Sequence, residues 1–319
     1  MSNSLQSLLA TQSGFSDLFF DAKSLSEEEM IERHKIFALA LHSEVASLAD
    51  AVHYKDHRPF KKETQRQKIL YESVDLFRYC LAILNLWDFT AEEFEDAFDS
   101  RDAFLWDRET RGLQMWDGAP IIIFDVDDVV AQFRKGFFDW VEDRFGVKLD
   151  LEAPNYYVTE SVGDMSNEEA YKLFIREGGI RSLSVNQRVV DAMERLRKSG
   201  FWIHLLTARP NDNLKCLYDT HFWLSKFKIP YDSITLISEK YRWLMNEDFF
   251  KQGKVVCAVD DSPKHALEFA QHGIKVCVPR RGYNSDVWDV DNVTPFDWWE
   301  DDLDETIQEL LSQTAKQSG

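Results

Sequence analysis

The sequence predicts an α plus α/β protein of two domains: an N-terminal helical bundle over residues 1–118, then a doubly wound parallel sheet with a small helical cap over residues 119–319. Two observations predict it. After Ala119, short apolar runs end abruptly in polar residues and alternate with helical periodicity, the pattern of strands buried on both faces of a parallel sheet. Before that point the chain has helical periodicity and no convincing strand. The stretch between the first two apolar runs is too long for a simple crossover, which implies an inserted segment at about residues 133–184.

Taken in order, Ser26-Glu27-Glu28-Glu29 caps a first helix, Ile36 to Val52 forms a second and Ile69 to Leu86 a third, and Thr90-Ala91-Glu92-Glu93 starts a fourth. The charged, glycine-containing stretch from Asp107 to Ala119 reads as the seam. In the second half, Ile121-Ile122-Ile123-Phe124 runs into Asp125-Val126-Asp127-Asp128. Alternating aspartates at the end of a buried strand bring negative charge to the open edge of a sheet, where a phosphate needs a hard divalent cation. A solvated turn also favours aspartate, so later segments must decide.

Three of them have the right type. Phe201 to Leu206 is a strand ending in Thr207-Ala208-Arg209-Pro210, whose hydroxyl and backbone N–H groups can meet phosphate oxygens. Ser233 to Ile237 is followed by Ser238-Glu239-Lys240, where Lys240 is a point charge for the phosphate, although Lys251 and Lys254 compete for that role. Val255 to Val259 ends in Asp260-Asp261, and Ser262-Pro263 opens a helix with proline in its first turn. Acid, hydroxyl, cation and acid at four successive strand ends point to metal-assisted phosphoryl transfer.

These four segments resemble the motifs of the haloacid-dehalogenase (HAD) superfamily. Thr207-Ala208-Arg209-Pro210, with Val278-Pro279-Arg280-Arg281-Gly282-Tyr283-Asn284, is most similar to its deoxyribonucleotidase-type branch, over about residues 120–285. The resemblance implies a HAD-like sheet with Asp125 as nucleophile and Mg²⁺ ligand, and Asp127 as general acid and base and, through its carbonyl, a second ligand. It also implies that Thr207 and Lys240 hold the phosphoryl oxygens and that Asp260 and Asp261 complete the metal site. Asp128 stands where that family usually has glycine. Asp127 must be protonated at the first step, and crowding of carboxylates is expected to raise the pKa of one of them.

In this insertion, where the superfamily carries its cap, Phe133 to Phe145 reads as a helix, and a further, partly helical stretch runs before the Val185 to Lys198 helix. Its aromatic residues, Tyr156, Tyr157 and Tyr171 among them, fit a small core of the cap; with Arg134, Lys135, Arg176 and Arg181 they also fit a surface that stacks a base and holds a charged group. Arg134 and Arg209 are the substrate-binding candidates of this half.

In the N-terminal half, His42-Ser43-Glu44-Val45-Ala46-Ser47-Leu48, His53-Tyr54-Lys55-Asp56-His57-Arg58 and Tyr71-Glu72-Ser73-Val74-Asp75 resemble the all-α nucleoside-triphosphate pyrophosphohydrolases of the MazG and dimeric dUTPase group, over about residues 30–110. That likeness implies a second Mg²⁺ site at Glu44, Glu72 and Asp75, with Asp102 near a further position. Ser47 replaces one expected glutamate. Lys55, His57, Arg58, Lys61 and Lys62 form a basic group that suits either phosphate or plain solvation, with Lys55 and Arg58 as binding candidates. The likeness also implies homo-oligomers formed through the helical domain.

The 319 residues carry 56 acidic and 37 basic side chains, a formal charge of −19. Such a charge argues against nonspecific nucleic-acid binding and against an anionic membrane surface, and leaves small phosphorylated metabolites. No apolar run reaches the roughly 20 residues of a membrane span, and no secretion signal is evident, so a cytoplasmic location is expected. Cys80, Cys216, Cys257 and Cys277 have no C-x-x-C spacing and read as buried thiols. A helix from Leu303 to Leu311 follows Trp298 and Trp299, for which a binding role is the lesser reading.

The reading is therefore a Mg²⁺-dependent phosphomonoesterase of (deoxy)nucleoside monophosphates, with a pyrophosphohydrolase step in the bundle. Its alternatives are a polynucleotide end-phosphatase and a phosphatase whose bundle only binds nucleotide or dimerises.

Overall fold

The computed structural model describes residues 4–21, 24–52, 64–111, 118–151, 165–246, 255–297 and 302–317. The chain divides into two compact units, Met1–Phe98 and Asp99–Gly319.

The first unit is helical: α1 (Leu5–Ser16), α2 (Glu27–Asp50), α3 (Arg66–Leu86) and the start of α4 (Ala91–Arg111). Ser26 and Glu29 form a reciprocal capping box at α2, and Thr90 and Glu93 repeat the exchange ahead of α4. The two helices expected at Ser26 and at Ile36 are one continuous helix, because no glycine or proline interrupts Glu27–Asp50. Helix α1 is capped by Ser4. It packs on α3, where Asn85 Nδ2 donates to the Leu9 carbonyl at 3.0 Å and Arg78 Nε to Gln12 Oε1 at 3.1 Å. Buried Leu9, Leu81, Ala82 and Leu86 form the small core there, while α2 has no buried residue.

The second unit is a six-stranded parallel sheet in the order β3-β2-β1-β4-β5-β6. Its strands are β1 (Ile121–Phe124), β2 (Trp202–Thr207), β3 (Ser233–Leu236), β4 (Val255–Val259), β5 (Lys275–Pro279) and β6 (Val293–Phe296). Around them lie α5 (Phe133–Phe145), α6 (Asn167–Arg176), α7 (Gly179–Ser182), α8 (Gln187–Lys198), α9 (Leu214–Lys226), α10 (Lys240–Asn246), α11 (Pro263–Gln271) and α12 (Leu303–Gln317). The four strands read from apolar runs are all present. The other two extend the sheet on the β4 side, and Pro295 is tolerated in β6 because that strand is an edge.

Central β1 is buried on both faces, which is why it reads as a continuous apolar run. Ile122 and Phe124 join Ile203, Leu205 and Phe296 on one side, over which α5, α8, α9 and α12 contribute core residues. Ile121 and Ile123 join Leu206, Ala258 and Val276 on the other, with α10 and α11. The strand order reverses between β1 and β4, so the loops after these two strands diverge and open a crevice at the carboxyl edge.

Residues from Ser100 onward in α4 belong to this unit. Ser100 Oγ donates to Asp219 Oδ1 at 2.8 Å, and the Tyr231 hydroxyl to Asp107 Oδ1 at 2.6 Å. Helix α12 is longer than expected and is held to α8 by Arg195, which bonds Asp302 and Asp304 at 2.6 Å. Cys216, Cys257 and Cys277 are buried, but Cys80 is exposed on α3, a correction to the expectation of four buried thiols. That expectation took the apolar helix around Cys80 as a sign of burial, and α3 leaves much of its apolar surface, Phe77 included, open. Among the described residues no helix is long and apolar enough to cross a membrane.

Phe174 meets Phe133, Phe137 and Trp140 edge-on, with ring centroids 5.4–5.9 Å apart, and these rings join the cluster that covers one face of the sheet rather than a separate core of the cap. A Cβ at Gly179 would overlap the Phe174 ring. Gly179→Ala is accordingly expected to cost about 1–3 kcal/mol by overpacking, read from a chemical denaturation midpoint. An unchanged midpoint would show that this ring has room to yield.

Candidate functional site

The carboxyl edge at the β1/β4 crevice collects the predicted groups. The Asp125 N–H bonds the Val259 carbonyl at 2.9 Å, extending the β1–β4 pairing one residue into the loop and fixing where this side chain leaves the sheet. Asp125, Asp260 and Asp261 are all buried, and one carboxylate oxygen of each lies within 4.8 Å of the others. Lys240, fully buried at the start of α10, places Nζ 2.8 Å from both Asp125 Oδ2 and Asp260 Oδ2. Lys251 and Lys254 lie outside the described residues.

Buried charge shapes the proton affinities. Burial pushes the Asp125 carboxyl up to about 6, although Lys240 opposes it. Burial, then the Asp128, Asp125 and Asp260 charges, raise Asp261 well above the usual carboxylate range. Burial works against ionisation of Asp260 too, but Lys240 and His265 outweigh it and hold its pKa below the ordinary value. Lys240 itself stays above the ordinary lysine value because its two carboxylates override its desolvation.

These residues fit a hard divalent cation. Three buried carboxylates converge against one ammonium, and Asp261 Oδ1 is a buried oxygen with no hydrogen-bond partner among the described residues. The rest of Asp261 is fixed: Tyr283 donates to Oδ2 at 2.7 Å, and Asn284 Nδ2 bonds both its carbonyl, at 3.0 Å, and that of Pro279, at 2.9 Å. The segment after β5, quoted from the sequence for its likeness alone, thus braces the acidic strand end. Ser262 N–H donates to Asp260 Oδ1 at 3.0 Å, with His265 Nδ1 3.5 Å from the same oxygen. Sequence reasoning passed over His265 and Tyr283 as site residues, although Tyr283 stands inside the segment that carried the likeness; the only signal for His265 was its nearness to Asp260-Asp261.

A cavity of about 450 Å³ opens beside Asp125. Asp125, Asp127, Asp128 and Arg209 line its floor, and Phe133, Phe137, Phe138, Tyr171 and Tyr283 its walls. Arg134 is buried with its guanidinium carbon 5.0 Å from the Phe138 ring and 4.9 Å from the Tyr283 ring. The cap aromatics thus both pack over the sheet and face the cavity. Lys135, by contrast, is exposed and pairs with Asp139, Arg176 is exposed, and Arg181 lies over Phe222. Thr207 is buried at the end of β2, with Oγ1 accepting the Arg209 N–H at 3.4 Å.

One placement differs from expectation. Arg209, expected against substrate, turns its guanidinium to Asp127, with Nη2 2.6 Å from Oδ1 and Nε 3.0 Å from Oδ2. The carboxyls pushed upward are Asp125, Asp261 and Asp128, the last to about 7 chiefly through loss of surrounding water. Asp128 has a left-handed backbone, φ 54°, which aspartate tolerates better than most residues and which accounts for glycine being usual there. Its Oδ1 accepts the Arg134 N–H at 2.8 Å at the start of α5.

In the helical unit, oxygens of Glu44, Glu72 and Asp75 also lie within 4.8 Å of one another, with Glu44 and Glu72 partly buried and Asp75 exposed. Loss of water around Glu44, then the Glu72 and Asp75 carboxylates, raise its pKa. Ser47 sits on α2 with Glu44, whereas Asp102 is exposed in the second unit. Lys55, His57, Arg58, Lys61 and Lys62 lie outside the described residues, as do Tyr156, Tyr157, Trp298 and Trp299.

The family model described as "5′ nucleotidase, deoxy (Pyrimidine), cytosolic type C protein" matches residues 119–304. No curated protein matches the chain. Among solved structures, a haloacid dehalogenase-like family hydrolase from Streptococcus pneumoniae is 15% identical, with 58% of this chain and 97% of that one covered at a TM-score of 0.39. The D,D-heptose 1,7-bisphosphate phosphatase of B. bronchiseptica is 17% identical, covering 61% and 99% at a TM-score of 0.35. A HAD-superfamily hydrolase from Ehrlichia chaffeensis is 14% identical, covering 60% and 98% at a TM-score of 0.35.

Proposed function

This chain belongs to the family of cytosolic type C 5′ nucleotidases, deoxy (pyrimidine), and we propose that its second unit hydrolyses (deoxy)nucleoside monophosphates through a phosphoenzyme on Asp125. The observation that carries this reading is the convergence of Asp260, Asp261 and Lys240 on Asp125, which lines an aromatic-walled cavity. Aromatic walls and the Arg134 guanidinium suit a planar base, and the floor suits its phosphate.

A carboxylate oxygen of Asp125 attacks phosphorus. The P–O ester bond breaks as Asp127 gives its proton to the departing oxygen, leaving an aspartyl phosphate. Water then attacks that phosphorus while Asp127 takes its proton, and cleavage of the acyl phosphate P–O bond releases inorganic phosphate and restores Asp125. Thr207 and Lys240 orient the phosphoryl oxygens. Mg²⁺, held by Asp125, Asp260, Asp261 and the Asp127 carbonyl, would supply the positive charge that lets a carboxylate approach a phosphate.

Phosphate release from a panel of (deoxy)nucleoside monophosphates is the test. Release is expected with Mg²⁺, to fall at least about 100-fold on chelation and to return with the metal. No release from any member would sink the reading. Release mainly from phosphorylated polynucleotide ends, with steep loss of affinity as salt rises, would replace it with an end-phosphatase.

The Glu44, Glu72 and Asp75 cluster favours a second step, in which the helical unit releases pyrophosphate from a nucleoside triphosphate and hands on the monophosphate. Three carboxylates hold Mg²⁺ more weakly than four, so pyrophosphate release is expected only at high Mg²⁺ or with Mn²⁺, to rise in Ser47→Glu, and to vanish in Glu72→Ala while phosphate release persists. If the full chain yields no pyrophosphate from any triphosphate, the bundle is a binding or assembly module.

A further inference from the structure

From the geometry around Asp127 we infer that Arg209 is a positioning residue, which holds the carboxyl of Asp127 in the one orientation that serves both the leaving oxygen and the incoming water. The inference rests on the acid–base role of Asp127 proposed above. Arg209 has a fully buried side chain, whereas that of Asp127 is 24% exposed, towards the cavity. Three contacts join them: Nη2 to Oδ1 at 2.6 Å, and Nε to Oδ1 at 3.2 Å and to Oδ2 at 3.0 Å. The remaining edge of the guanidinium is fixed as well. Nη1 donates to Thr220 Oγ1 at 3.0 Å, that hydroxyl donates to the Cys216 carbonyl at 2.7 Å within α9, and the Trp223 ring lies 5.9 Å away.

This arrangement decides between the two roles open to an arginine beside a phosphate site. A guanidinium that grips the transferred phosphate must present free N–H groups to the cavity. Arg209 directs its fork to Asp127 and one Nη1 N–H to α9, and its side chain is fully buried, so a phosphate could take the two-pronged edge only by displacing Asp127. The two-pronged contact removes rotation about the terminal torsion of Asp127, and effective proton transfer needs its donor within hydrogen-bond reach at each of two successive steps. Helix α9 supplies the anchor, through Thr220.

The test compares substrates in the full chain. A nucleoside monophosphate has an alkoxide leaving group that needs a proton, whereas p-nitrophenyl phosphate does not. Arg209→Lys keeps the charge and loses the fork. It is expected to lower kcat for the nucleotide about 10- to 100-fold with KM within about 2-fold, while the p-nitrophenolate burst rate stays within about 3-fold and only its steady state slows. Thr220→Val, which removes only the anchor, is expected to give the same pattern at about 3- to 10-fold, and it carries the test if Arg209 variants fail to fold by circular dichroism. A rise in KM for both substrates together with a slower burst would make Arg209 a phosphate ligand and overturn the inference. So would Arg209→Lys and Thr220→Val at the rate of the unmodified protein while Asp127→Asn shows the leaving-group split. If Asp127→Asn itself turns over the nucleotide at the full rate, the acid–base reading fails first and takes the inference with it.

Discussion

Asp125→Asn is expected to fold and to release phosphate from nucleoside monophosphates at least about 10⁴-fold more slowly than the unmodified protein, since an amide cannot displace the ester oxygen. The same change should alter stability in the opposite sense. Asp125 is buried beside Asp260 and Asp261, and its pKa is raised from 3.8 to about 6, chiefly by burial. Between those values the folded state binds more protons than the unfolded chain, so without metal stability falls as pH rises from about 4 to about 6. The neutral amide removes that contribution. In chelator, thermal scans of Asp125→Asn should therefore show a shallower loss of Tm across this window. Parental phosphate release would relocate the chemistry, and an unchanged pH slope would mean that Asp125 is ionised throughout.

Lys240→Met is expected to be the most damaging single change in the sheet unit. Its ammonium stands 2.8 Å from Asp125 and from Asp260, and all three groups are buried. Deleting one partner of such a buried set leaves the other charges uncompensated, which typically costs about 3–5 kcal/mol. For a unit of this size that corresponds to a fall in Tm of roughly 10 °C or more. Millimolar Mg²⁺ should recover part of the loss by supplying positive charge at the same carboxylates, without restoring turnover. A variant with parental Tm in chelator would show that Lys240 contributes little to balancing the cluster.

Much of the sheet unit could be read directly, for one physical reason: strands buried on both faces must be apolar throughout, and those that stop at a crevice end in chemistry. Lys240 was recoverable because it follows a strand directly, as Thr207 does. The pairing of Arg209 with Asp127 was not. Eighty-two residues separate them, and an arginine after a strand-end threonine suits a phosphate as well as a carboxylate. Helix packing was harder to read than strand burial, because helical periodicity says that a face is apolar and not what covers it. Cys80 shows this on α3. Ser100 and Asp107 show it on α4, where their partners Asp219 and Tyr231 are over a hundred residues away.

Asp128 joins two functions in one side chain. Its backbone belongs to the loop that carries Asp125 and Asp127, and its carboxylate holds the first turn of α5, from which Phe133, Arg134 and Phe137 face the cavity. Selection for a different base, acting on α5, would therefore pull on the loop that carries Asp125 and Asp127. Variants with altered base preference should show correlated changes in turnover. Those that escape the trade-off are expected to carry a compensating substitution at position 128, glycine being the change that frees the helix and relieves the left-handed backbone together.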